Sequence, residues 1–153
     1  MLTFKHANSA NPDFISMVRK LDAELAVIDG EEHAFYAQYN KIDKLKNVVI
    51  AYWNNVPIAC GAIKPFDSVT VEVKRMFTLP EFRGKGVASS VLNELEKLAA
   101  ELGYKRCVLE TGVRQPDAIR LYEKNGYCSI PNYGQYAGIE NSRCFEKNIS
   151  AVN

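Results

Sequence analysis

The sequence predicts an α/β domain built on one mixed sheet with helices on both faces. Three observations carry the prediction. Between residues 70 and 126 the hydrophobic pattern alternates as strand, helix, strand, helix, the order that joins parallel strands by right-handed crossovers. Ahead of that run, "NVVIAYWNNVPIACGAIKPF" reads as two strands joined at Asn54-Asn55. Asparagine tolerates the positive φ of a tight hairpin, so antiparallel neighbours are expected there. A chain of 153 residues, 47% of them hydrophobic, is long enough for one sizeable core and falls within the usual size of a single domain, residues 1–153.

The elements follow in order. "LTFKHA" is a short strand. The next segment, "ANPDFISMVRKLDAELAVI", opens a helix with Asn11 as N-cap and Pro12 in the first turn, and Phe14, Met17, Val18, Leu21, Leu25 and Ile28 recur at helical spacing. A weaker helix occupies "EEHAFYAQYNKI". After the hairpin, "SVTVEVKRMFTLP" is a strand closed by Pro80, which cannot donate to a ladder. A helix from about Gly84 to Leu102 carries Val87, Val91, Leu95, Leu98 and Leu102 on one stripe and stops at Gly103. "KRCVLET" is a buried strand. "QPDAIRLYEKNGY" is a helix with Pro116 in its first turn and Gly126 as its stop, and "YCSIPNYGQYAGIENSRCFEKNI" offers two strands around a loop.

Composition excludes several classes. A formal net charge of +1 gives no basic footprint, so nucleic acid is not an expected partner. Cys60, Cys107, Cys128 and Cys144 form no CxxC pair, which argues against zinc and redox motifs and for reduced thiols in a cytoplasmic protein. No metal is expected. Neither a signal peptide nor a membrane-spanning run is read in the sequence.

The stretch with the most chemistry is "FRGKGVASS", residues 82–90. Small residues here leave the backbone bare where a helix begins, and the first amides of a helix have no intrahelical partner and sit at its positive end, so such a terminus can hold a phosphate. A Walker A loop is disfavoured, because Gly84 and Gly86 stand two apart with no hydroxyl residue after a lysine. A dinucleotide fingerprint is weakened by Ser89 at its third small position, although Glu110 is roughly placed for the ribose. A plain helix start, with glycine for close packing, stays open beside these.

The wider context resembles the GNAT superfamily of acyl-CoA-dependent N-acetyltransferases. The segment "VEVKRMFTLPEFRGKGVASSVLNELEKLAAELGYKRCVLET" contains the pattern Q/R-x-x-G-x-G/A at Arg83, Gly86 and Ala88, and "AIRLYEKNGY" matches the alanine, tyrosine and glycine of the family's following helix. The resemblance covers most of the second half of the chain. It implies a central, largely antiparallel mixed sheet with splayed parallel strands in the middle. It also implies a transferase that uses acetyl-CoA as cosubstrate and takes a small-molecule or peptide amine as acceptor, with a homodimer as a possible assembly.

The site residues implied are as follows. The loop and helix start Arg83, Gly84, Lys85, Gly86, Val87, Ala88 and Ser89 would hold the pyrophosphate, and backbone groups of Met76, Phe77 and Thr78 would pair with pantetheine, one amide also serving the oxyanion. Gln115 stands where many relatives have asparagine and would reach the cofactor through its amide. Glu72 is the expected base, against the alternative that it pairs with Lys74, and Tyr122 the expected donor to the departing sulfur. Tyr36, Tyr133, Tyr136 and Glu140 fall in segments that border the acceptor groove. A second class of function, an acyl-CoA-binding sensor or interaction module without transfer, stays open at this point.

Overall fold

The computed structural model describes residues 1–32 and 44–149. Most of the helix read in "EEHAFYAQYNKI", with Tyr36, lies outside the described residues. Seven strands form one sheet in the order β1-β2-β3-β4-β5-β7-β6. They are β1 (Leu2–Ala7), β2 (Asn47–Trp53), β3 (Val56–Pro65), β4 (Thr70–Thr78), β5 (Arg106–Gly112), β6 (Cys128–Ile130) and β7 (Ser142–Asn148). All neighbours are antiparallel except β4 and β5. The described helices are α1 (Pro12–Asp29), α2 (Val87–Glu101) and α3 (Pro116–Lys124).

Local chemistry explains the elements. The side chain of Asn11 accepts from the amides of Asp13 and Phe14 at 2.9 and 3.3 Å, the N-cap expected of it. Asn54 and Asn55 adopt φ of 48° and 69°, the paired positive values of a tight hairpin. β2 is apolar on both faces because both are covered. Val48 and Ile50 pack with Phe14, Met17, Val18 and Leu21 of α1. Val49 and Ala51 pack on the opposite face with Val91, Leu92 and Leu95 of α2. Each of these side chains larger than alanine, fully buried, stabilises the fold by roughly 1.5–3 kcal/mol.

The structure corrects the helix expected from Gly84. It begins at Val87, because Gly84 and Gly86 take left-handed φ of 76° and 81° and cannot enter it. At its other end Leu102 is half exposed, so the buried stripe runs through Val87, Val91, Leu92, Leu95 and Ala99 instead. All four cysteines are free, and three of them are buried. Burial pushes the thiols of Cys60 and Cys107 up to about 12.

Two irregularities position the site. β4 and β5 pair only at Thr70 with Arg106, Val71 with Cys107 and Glu72 with Val108, after which the two strands part. β4 also carries a bulge. Cys60 lies opposite Phe77 and Ala62 opposite Lys74, so Arg75 and Met76 together face Gly61. A Cβ on Gly61 would stand 2.6 Å from the Met76 sulfur and 2.8 Å from Leu95, which is why only glycine fits beneath the bulge.

Candidate active site

Where β4 and β5 part, a cleft of about 850 Å³ opens between them, bounded by α1 and by the starts of α2 and α3. One end is made by backbone. Gly86 caps α2 without any side-chain hydrogen bond, so the first amides of the helix keep no partner. A Cβ on Gly84 or Gly86 would meet nothing within 4 Å, and both residues line the cleft with Val87, Ala88 and Ser89. This bare, positively polarised terminus fits a phosphate group.

The side chains around it are differently employed. Arg83 donates from Nε to the carbonyl of Thr78 at 2.8 Å and from Nη2 to Glu24 at 2.8 Å, tying the loop to β4 and α1. The Thr78 carbonyl is therefore already engaged, while Met76, Phe77 and Thr78 all line the cleft. Lys85 is exposed, with its Nζ 5.6 Å from the centre of the Phe82 ring, and stands outside the cleft lining. The hydroxyl of Ser89 accepts from Asn125 at 3.0 Å and so links the start of α2 to the end of α3. Gln115 lines the cleft at the start of α3 and makes no capping bond with its side chain.

Titratable groups gather at the split. Glu72, the last residue of β4 paired to β5, is buried; Tyr133 donates to its Oε2 at 2.6 Å and Lys74 Nζ stands 3.7 Å from Oε1. The ion-pair role expected as the alternative for Glu72 is thus present, together with a tyrosine partner. Across the split Glu110 of β5 also lines the cleft, and its Oε2 is closed off without a hydrogen bond among the described residues. Burial pushes the Glu110 carboxyl up to about 7; Ser142 and Lys74 pull it down, and Glu72 and Asp29 add to the rise.

Tyr122 is buried against Tyr127 and Phe145 and still lines the cleft; burial first, then the charge of Glu110, holds its hydroxyl protonated well above the ordinary tyrosine range. Tyr136 lines the cleft too. Tyr133 reaches the site through Glu72. Glu140 does not: it is exposed on the loop between β6 and β7, where its carbonyl accepts from Arg143 at 2.7 Å. Sequence reasoning singled out Glu110 only as the acid of a dinucleotide fingerprint and missed Arg75. The available signal for Glu110 was an acidic residue closing the apolar run Cys107, Val108, Leu109, at the carboxyl end of a parallel strand, where open α/β sheets bind ligands.

At the mouth of the parted strand pair the cleft thus brings together a helix start with bare amides, the carboxyl groups of Glu72 and Glu110 and the buried Tyr122. The acetyltransferase (GNAT) family model matches residues 15–127, and the chain belongs to that family and is an acyltransferase. It is 30% identical over 128 residues to the uncharacterised N-acetyltransferase YjgM of Escherichia coli, covering 76% of this chain and 75% of that one. Its fold matches a Klebsiella pneumoniae chain provisionally classed as an acyl-CoA N-acyltransferase, with a TM-score of 0.83 at 24% identity, over 98% of this chain and 99% of that one. It also matches the PaiA N-acetyltransferase of Thermoplasma acidophilum, solved in complex with coenzyme A. There the TM-score is 0.72 at 16% identity, over 97% and 99% of the two chains.

Proposed function

We propose that the chain transfers an acetyl group from acetyl-CoA to a primary amine by direct attack of the amine on the thioester. The observation that carries the reading is the pair of carboxylates, Glu72 and Glu110, set with the Tyr122 hydroxyl in one cleft whose other end is the bare start of α2. The residues fit the cosubstrate: the amides of Val87, Ala88 and Ser89 suit its pyrophosphate, and β4 past Glu72 has no partner on its β5 edge, leaving backbone groups of Met76 and Phe77 for its pantetheine arm. Bound acetyl-CoA supplies an activated carbonyl and a thiolate leaving group.

The protein's own groups manage the protons. Glu72 takes the proton that the amine must lose before it can attack, and Glu110, held near neutrality, receives it in turn. Backbone amides at the bulge of β4 face the charge that builds on the carbonyl oxygen. Tyr122 donates to the sulfur as the carbon–sulfur bond breaks and the carbon–nitrogen bond forms. The nitrogen of the acceptor gives up two protons, one to the carboxylates before attack and a second once the carbon–nitrogen bond has formed, and the second makes good the proton that Tyr122 gave to the thiolate.

The test is a thiol-release assay with acetyl-CoA across amino acids, polyamines, aminoglycosides and peptide N-termini. Release that depends on an acceptor, with a matching acetylated product by mass spectrometry, is expected. CoA binding without transfer to any acceptor would turn the reading to an acyl-CoA-binding module.

A further inference from the structure

The acceptor side of the cleft carries a cation that the chemistry above leaves unused. Arg75 sits on the bulge of β4 with a left-handed φ of 60°, a strained conformation for a residue that carries a side chain. Bulges re-aim side chains, and this one lets Arg75 line the cleft directly beside Lys74, with Glu72 and Glu110. The Arg75 side chain is 2% exposed, and its Nη2 meets the Asp22 carboxylate at 2.7 Å. Its other nitrogens, Nε and Nη1, are buried and make no hydrogen bond among the described residues. A buried donor left unpaired is destabilising, and more so on a charged group. The carboxylate within reach along the strand does not answer it, since Glu72 is turned to Tyr133 and Lys74.

The one partner Arg75 does have is loosely held. The Asp22 side chain is 51% exposed, and ion pairs that reach into solvent contribute little. The guanidinium can therefore turn its fork toward an entering carboxylate, the group whose two oxygens match it best. We infer that the acceptor carries a carboxylate beside its amine, a free amino acid or a small derivative of one, with the carboxylate on Arg75 and the amine between Glu72 and Glu110. Three steps along the strand separate Glu72 from Arg75, about 10 Å of backbone, which two long side chains shorten to the span of a small zwitterion. A polyamine, having no anion, would meet Arg75 and Lys74 as like charges. The choice of amine rests on the transferase reading above; the carboxylate site does not.

The experiment uses the full chain with saturating CoA or acetyl-CoA. Thiol release and calorimetric binding are measured for the twenty standard amino acids and for matched amines that lack the carboxylate, such as 2-phenylethylamine against phenylalanine. For the best pair, kcat/KM is expected to be at least about tenfold higher with the carboxylate present. Arg75→Met should lower it roughly 10–10²-fold for the amino acid and hardly at all for the bare amine, with Arg75→Lys intermediate. Amines without a carboxylate serving equally well in the unmodified protein overturns the inference, whatever the variants do. An amino acid that binds without being acetylated, and loses binding in Arg75→Met, upholds the carboxylate site while refuting the transferase. Neither binding nor turnover across the panel overturns the carboxylate site.

Discussion

Glu110 makes the clearest demands that can be checked at a single residue. Its carboxyl is raised from 4.5 to about 7, so the folded protein holds a proton there that the unfolded chain has already lost. Stability on this account is greatest below about 4.5 and declines as pH rises through 7, by on the order of 3 kcal/mol at most. Urea unfolding at pH 5 and pH 8 should show that decline in the parent and a flatter profile in Glu110→Gln; an unchanged slope would mean another group is responsible. The same proton shapes catalysis. If Glu110 receives what Glu72 removes, kcat/KM rises with pH up to about 7 and then levels, and Glu110→Gln lowers the plateau and removes that inflection. Glu72→Gln should depress turnover most at low pH, where the amine is most protonated, without moving the KM for acetyl-CoA. Tyr122→Phe keeps the packing on Tyr127 and Phe145 and deletes only the donor. Because burial makes that hydroxyl a weak acid and a thiolate leaves readily, the expected loss of turnover is modest, roughly 10–10²-fold, with CoA affinity kept. Full activity would leave Tyr122 a packing residue.

At the scale of elements, the start of α2 is the part that can be broken cleanly. Gly86→Val forces a branched residue into φ of 81° and stands it in the open space before the amides. CoA affinity by calorimetry should fall at least tenfold while the fold survives with a strain of about 1–2 kcal/mol. Gly103→Ala is the control, since Gly103 also has positive φ and open surroundings but lies at the far end of the helix. It should share the strain and leave the affinity alone; equal loss in both would remove the phosphate site. These elements were largely legible in the sequence, because Asn11, the Asn54-Asn55 pair, Gly103, Pro116 and Gly126 act locally and the apolar periods are long. The beginning of α2 was misread for a local reason too, as a glycine carries no mark of the hand of its φ. Glu110 and Arg75 escaped for nonlocal reasons. The proton affinity of Glu110 depends on a split between β4 and β5 and on Ser142 of β7, and the bulge that turns Arg75 lies opposite Gly61 of another strand, which leaves room for it.

For the whole molecule, a cosubstrate that spans the cleft should stabilise every element around it by mass action. At a hundredfold excess over its Kd, CoA is expected to add about 2.7 kcal/mol, a rise of roughly 5–10 °C in Tm for a chain of this size, which Gly86→Val should cut by about half or more at the same CoA concentration. Among the described residues no helix is long and apolar enough to cross a membrane. The strand order has a further consequence, for how the protein comes into being. β7 lies between β5 and β6 and, among the described residues, is the only strand paired with β6, yet it is synthesised after both. While the chain is still emerging from the ribosome, β1 through β5 with α2 can already assemble the start of α2 beside β4, but β5 has an open edge and Glu110 lacks its Ser142 neighbour. Arrival of the C-terminal hairpin covers the open edge of β5 and brings Ser142 to Glu110 in the same event, so the last stretch to be synthesised is the one that completes the surroundings of that carboxyl.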